Sequence, residues 1–194
     1  MEIGERQSIQ RRGTRLILIV VMGVLLALNA SLGAAAVPGD VTAKFSADAQ
    51  SEGLTAAQAS ALQAEVEAEI ADFGGEQIAP NKVRLGKGVT LTVVVPGEKY
   101  VRALSQPVGV RAACQHLYFC AYPGTNFTGN EISMFDCRGY QIPWVGNGSW
   151  DNNQSTGTRA RMYGSGGALI YTTPGARSYD LVGSWTSIYS VRPC

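Results

Sequence analysis

The positions of four cysteines limit what this chain can fold into more than any other feature. Cys114, Cys120, Cys137 and Cys194 all lie at or beyond residue 114, and none precedes it. An even set confined to one end of a short chain reads as two disulfides formed in an oxidising compartment. Such bridges brace a domain whose core is too small to hold it alone. A zinc site is the competing reading, and spacing argues against it. No Cys-x-x-Cys pair occurs, and the one histidine, His116, sits between Cys114 and Cys120 at a separation poorly suited to a shared metal.

The N-terminus points to the same compartment. Arg11, Arg12 and Arg15 precede an uncharged apolar run over residues 16–28, and Ala34, Ala35 and Ala36 close it ahead of Val37 and Pro38. This is the three-part layout of a secretory signal peptide, with cleavage expected after Ala36. The apolar run falls short of the roughly 20 residues that a membrane anchor needs. Secretion is therefore expected, without membrane association once the signal is removed. The whole chain carries a net charge of +1, from 16 basic and 15 acidic residues. No basic cluster stands out, so a nucleic-acid partner is not expected.

Residues 37–53 are small, polar and unpatterned, and read as loose. Thr55 is a good N-cap, and Gln58 three residues on completes a capping box. Leu62, Val66, Ile70 and Phe73 then form one helical stripe, and Gly74-Gly75 ends it. Val83 and Leu85, a turn at Gly86-Lys87-Gly88, and Val89, Leu91, Val93 and Val95 read as a β-hairpin. The expected organisation is a signal peptide over 1–36, a helix-hairpin leader or pro-segment over 37–97, a linker over 98–113 and a β domain over 114–194. Removal of the leader would be expected near Arg111-Ala112-Ala113, and a permanent accessory module is the equal alternative.

Beyond Cys114 aromatic residues and glycine are frequent, and short strands with turn signals replace helical stripes. Two strands, 117–122 and 130–135, flank a link longer than a tight hairpin. Within it, Tyr122-x-x-x-x-Phe127-x-Gly129 resembles the folded-hairpin signature of βγ-crystallin Greek keys. Two aromatic rings stiffen such a hairpin, and glycine permits a positive φ. Asp151-Asn152-Asn153-Gln154-Ser155-Thr156 resembles the acidic/amide and hydroxyl stretch of the same fold. Residues 159–163, a shortened turn at 164–167, residues 168–172 and a closing strand at 185–191 resemble a second key. The expected fold class is thus mainly β, a two-Greek-key βγ-crystallin-like domain preceded by the signal peptide and the small helix-hairpin leader.

Cys114-x-x-x-Tyr118-Phe119-Cys120-x-Tyr122, Asn126-Phe127-Thr128-Gly129 and Asp136-Cys137 together resemble exported peptidase inhibitors of the streptomycete metalloproteinase-inhibitor type. That resemblance implies a secreted inhibitor whose partner is an extracellular protease, engaged through a rigid loop and without a cofactor. If Tyr122 pairs near Glu131, antiparallel register favours Cys114 with Cys137 and Cys120 with Cys194, among three possible pairings. Two loops qualify as the inhibitory segment. One carries Thr172, Thr173, Pro174, Gly175, Ala176 and Arg177, and the other carries Ile142 and Trp144. The first loop contains no cysteine, whereas the family's reactive bond adjoins a half-cystine; the second directly follows Cys137.

Three other functions were weighed on the residues. With one histidine and no Gly-x-Ser-x-Gly elbow, nucleophilic catalysis has little to work with, and an enzyme is not expected. Asp151, Asn152 and Ser155 are weak calcium candidates, since the crystallin fold builds oxygen-rich sites from such stretches. Tyr140, Trp144, Trp150, Tyr163, Tyr171, Tyr179 and Trp185 would suit a wall-binding or toxin module if they shared one surface.

Overall fold

A capping box opens the longer of the two α-helices among the described residues. Thr55 Oγ1 accepts from the Gln58 amide at 3.2 Å, and Gln58 Oε1 accepts from the Thr55 amide at 3.0 Å. Two orphan amides at the helix start are satisfied together. The helix, α2, runs Ala56–Phe73 and ends at Gly74, whose φ of 72° a side chain would resist. Leu62 and Val66 are buried and Ile70 is partly buried, whereas Phe73 at the end of the stripe is exposed. The computed structural model describes residues 38–194, and the expected signal peptide lies outside them.

Residues read as loose form a helix instead. This helix, α1 (Pro38–Ser51), packs on α2 through Phe45 and Ala49, spaced by one turn. Small residues fill the rest of its face, so no apolar stripe marked it in the sequence.

Eleven strands follow: β1 (Glu76–Ala79), β2 (Lys82–Gly86), β3 (Val89–Thr92), β4 (Tyr118–Tyr122), β5 (Glu131–Met134), β6 (Tyr140–Gln141), β7 (Asn147–Asn153), β8 (Arg161–Tyr163), β9 (Leu169–Thr172), β10 (Ser178–Ser184) and β11 (Ser190–Arg192). They form two antiparallel sheets, one ordered β1-β2-β3-β5-β4-β7-β10 and the other β6-β11-β8-β9. The chain is mainly β. Each four-strand run, β4–β7 and β8–β11, sends its third strand across to the sheet of the other. Of the expected closing strand at 185–191, only its end lies in β11. Trp185, Thr186 and Ser187 turn the chain first, and the Ile188 amide reaches the Trp185 carbonyl at 2.9 Å.

The expected leader is continuous with the first sheet. Strand β3 pairs with β5 along its length, Val89 opposite Met134 through Thr92 opposite Glu131. Leu62, Val66, Val83, Leu91, Phe119, Ile132, Met134, Trp150, Met162 and Val191 belong to one buried cluster. Nor is 98–113 an unstructured linker, because Val101, Arg102 and Leu104 are buried. Alternation in Val89–Thr92 was visible in the sequence, but alternation shows which face is buried, not how many neighbours a strand has.

The hairpin between β4 and β5 is folded over. Tyr122 and Phe127 meet edge to face with centroids 5.3 Å apart, and Gly129 has φ 82°. Ser149 pins the fold, its Oγ donating to the Gly124 carbonyl at 2.6 Å and accepting from the Phe127 amide at 2.8 Å. Ser155 and Thr156, where the sequence pattern places the hydroxyls of this stretch, are both exposed.

The disulfides join Cys114 to Cys120 and Cys137 to Cys194, which corrects the pairing drawn from register. Tyr122 does fall opposite Glu131, since Ala121 pairs with Ile132. However, the chain before β4 does not extend along the hairpin. Leu117 takes φ 75°, and the turn returns Cys114 to within 5.8 Å of Cys120, Cα to Cα. Cys137 is then free to meet the chain terminus.

The turn between β10 and β11 is tied to the first sheet where Trp185 Nε1 donates to the Tyr122 carbonyl at 2.8 Å. Gly148 leaves room for that indole. A Cβ there would overlap both Trp185 Nε1 and the Tyr122 carbonyl, and Tyr122 and Gly148 are both walled in by packed strands. Gly148→Ala is therefore expected to cost about 3 kcal/mol through overpacking. Chemical denaturation of the oxidised protein checks this, and a cost below about 1 kcal/mol would contradict the packing described.

Candidate functional site

One surface loop is closed at its base and exposed at its tip. The Ala112 amide donates to the Val101 carbonyl at 2.8 Å, bringing the two ends of residues 102–111 together. Loops of this length with adjoining ends are Ω-loops, held by their own side chains and often functional. Arg102 organises the interior. Its Nε and Nη2 bind both carboxylate oxygens of Glu98 at 2.7 Å, and Nη1 donates to the carbonyls of Leu104 at 2.5 Å and Gln106 at 2.7 Å. Both side chains of this ion pair are almost wholly buried. A bidentate guanidinium in that setting fixes direction as well as distance.

The far side of the base is held from above the sheet. Arg111 places its guanidinium 4.4 Å from the Phe127 ring centroid, and Nη1 reaches the Tyr122 hydroxyl at 3.4 Å. Val101, Cys114, Cys120 and Tyr122 form a small apolar cluster beneath. Residues 105–110 are exposed between these anchors, with Val108 at 69%. Val110 turns back on Pro107, its amide 3.3 Å from that carbonyl. The loop fell inside the expected linker, because Pro107, Gly109 and the lack of periodicity marked only irregular backbone. Two exposed valines in a short irregular stretch were the one available signal.

Beneath the base, the outer face of the first sheet carries buried acids. Glu131 accepts from the Tyr122 hydroxyl at 2.7 Å and from the Ser133 hydroxyl at 2.6 Å. Burial raises its pKa above 4.5, and the two hydrogen bonds with the Arg111 and Lys82 charges offset this only in part. Burial also raises the Tyr122 hydroxyl, reinforced by the Glu131 charge. Asp151 is likewise raised by burial, against the lowering influence of Arg177 and Arg111. Its Oδ2 lies 3.6 Å from Arg177 Nη2, and its Oδ1 is buried without a hydrogen-bond partner.

The two loops expected to inhibit are bound inward. Thr172 belongs to β9. Thr173 is fully buried, its amide on the Ala160 carbonyl at 2.9 Å and its Oγ1 accepting from the Ala160 amide at 2.9 Å. Ala176 is buried, its amide on the Thr158 carbonyl and its carbonyl on the Gly157 amide. Only Pro174 and Arg177 are exposed, with Gly175 half-buried, and Arg177 leans on Asp151. In the other loop Ile142 is buried, its amide donating to the Tyr189 carbonyl at 2.9 Å, and Trp144 is half-buried against Trp185 at 6.4 Å. Backbone groups already paired in this way are closed to a docking strand.

The calcium trio is divided among other tasks. Asn152 Nδ2 reaches the Thr158 carbonyl at 2.9 Å and the Thr173 hydroxyl at 3.3 Å, and its Oδ1 accepts from Gln154 at 2.9 Å. It anchors the 173–177 connection. Asp151 faces Arg177, and Ser155 is solvent-exposed. Among the described residues, no three His, Cys, Asp or Glu side chains group to hold a metal.

A second concave feature, a cleft of ≈ 750 Å³, separates the end of α2 from the second sheet. Phe73, Leu85, Val89, Tyr140, Trp144 and Tyr189 line it, and Val145 stands at its rim. The aromatic residues expected to share a surface divide here. Tyr140 and Trp144 face the cleft, while Trp150 and Trp185 are core.

No family model, no curated protein and no solved structure matches this chain.

The buried acids give a pH dependence with a definite sign. A carboxyl whose pKa is higher folded than unfolded takes up protons on folding, so its contribution favours the fold below the unfolded value and is lost as pH rises through the folded one. Stability is expected to fall as pH rises above the ordinary carboxylate range, and Glu131→Gln to flatten that slope. Unfolding free energies measured over that rise in pH decide it. An unchanged slope in the variant would show that Glu131 is not the group responsible.

Proposed function

We propose that the chain is an exported inhibitor of an extracellular peptidase, and that the 102–111 loop engages the target. The carrying observation is the closed base, Ala112 amide to Val101 carbonyl, beneath a tip on which Val108 is 69% exposed. A target-binding loop must lose little freedom on docking, or ordering consumes the contact energy. Arg102 on the Leu104 and Gln106 carbonyls and Arg111 on Phe127 hold the frame before any target arrives. Val108 and Val110 offer apolar side chains to an apolar subsite, which suits a thermolysin-like metallopeptidase.

The compartment supports the same reading. Two disulfides favour an oxidising environment. Among the described residues no helix is long and apolar enough to cross a membrane. The residues at 11–36 read as an export signal. The crystallin-like reading draws on the third-strand exchange between sheets and on the Ser149-pinned hairpin. In this proposal the loop is supplied from before Cys114, adjacent to a half-cystine pair but outside it. The chain does no chemistry of its own. The cleft lined by Tyr140, Trp144 and Tyr189 favours a second reading, a secreted binding module for a wall or carbohydrate ligand.

Inhibition assays with the oxidised protein against thermolysin-like, subtilisin-like and trypsin-like peptidases test the proposal. Inhibition of the first class is expected. Val108→Asp should weaken it by at least about 30-fold, the loss typical of an interface anchor, with the thermal midpoint unchanged. Inhibition of none of the three classes, together with binding to peptidoglycan or chitin that Tyr189→Ala abolishes, would transfer the function to the cleft.

A further inference from the structure

We infer that the flank formed by β9 and β10 is a self-association surface, on which β10 pairs antiparallel with β10 of a second copy about a two-fold axis. The inference is independent of the peptidase reading. Strand β10 ends the seven-stranded sheet and β9 ends the four-stranded one. Residues 173–177 join them directly, and Tyr171 of β9 lies 6.3 Å from Trp150 of β7, next to β10. Both open edges therefore lie on one flank of the sandwich.

An open edge offers a row of ladder groups to another strand unless the sequence blocks it. The opposite edge of the large sheet is blocked. Strand β1 carries Glu76, paired to Arg84 at 3.0 Å, an irregular register after Gln77, and Pro80 directly behind it. Strand β10 shares one of these devices, a register shift between Asp180 and Gly183, and has no proline directly behind it. It has no lysine or proline, and its one acid, Asp180, accepts from the Val182 amide at 2.9 Å. Apolar side chains are exposed along the strand, Val182 at 63% and Tyr179 at 61%. On β9, Leu169, Ile170 and Tyr171 are all exposed. Soluble monomers rarely leave so many large apolar groups together.

The edge also specifies its occupant. Ladder groups require an extended strand, and an antiparallel strand laid against a copy of itself is complementary under a two-fold axis. The only charged residues at this edge are Arg177 and Asp180, one of each sign, so two copies meet without net repulsion. This chain already extends the same sheet in that way at its other side, where β3 pairs with β5.

Sedimentation velocity on the purified, oxidised chain from about 1 to about 200 µM is the test. A concentration-dependent dimer is expected. Val182→Lys and Tyr179→Lys should each weaken it by about tenfold or more, since each puts a like charge on both copies close to the axis. Val108→Asp should dimerise as the parent does, which separates this surface from the proposed inhibitory loop. Hydrogen exchange on the parent provides a second measurement should a lysine variant misfold, and β10 amides should gain protection as concentration rises. A monomer at the highest concentration would overturn the inference. So would a dimer unaffected by both lysines, or protection gained elsewhere.

Discussion

Pairing between β3 and β5 is the constraint on which the remaining architecture depends. A helix pair and a three-strand sheet over residues 38–92 are too few to close a core, because modules of that size bury too little of their surface. Joined to β5, the same residues extend a sheet whose inner face is shared. Buried Leu62 and Val66 belong to one cluster with Met162 and Val191 of the second sheet. The join also fixes where the next segment travels. After β3 the chain crosses the outer face, and the Val94 amide meets Asn130 Oδ1 at 2.9 Å while the Gly129 amide meets the Lys99 carbonyl at 2.9 Å. Those contacts carry it to Val101, the base of the Ω-loop.

Closing that outer face has an electrostatic consequence. The segment over residues 98–114 covers Tyr122 and takes Glu131 and Asp151 out of water. Buried carboxylates are costly unless hydrogen-bonded or neutralised. Glu131 finds two hydroxyls, whereas Asp151 relies on two arginines and leaves one oxygen unpaired. Arg111 is common to both, since its charge lowers the pKa of each acid. The residue that clamps the loop base is thus also the cation this face requires. Loop rigidity and burial of the acids rest on the same side chain.

The sequence signals that succeeded were local ones. Thr55 and Gln58 announced α2 because capping is decided within four residues, and Tyr122, Phe127 and Gly129 announced the folded hairpin because its rings meet across a short link. Signals that required a partner were missing or misread. Strand β10 was not anticipated, because an edge strand with a bulge lacks the strict alternation that a half-buried strand shows. Ser149 was missed because spacing alone could not show which hydroxyl lies under the hairpin. The cysteine pairing failed on one residue, Leu117, whose positive φ reverses a chain that β propensity would have extended.

Two kinds of loop in this fold differ in what is left for a partner. The 173–177 connection is fixed by donors and acceptors on its own backbone, so the rigidity that would make it a good ligand also closes it. The 102–111 loop is fixed mainly by side chains at its base, Arg102 from within and Arg111 from the sheet, while its tip stays exposed. Only the second arrangement combines low ordering entropy with apolar side chains left exposed at its tip. Rigidity alone therefore does not identify a recognition loop. What identifies it is where the restraining bonds are attached, and here they are attached below the valines.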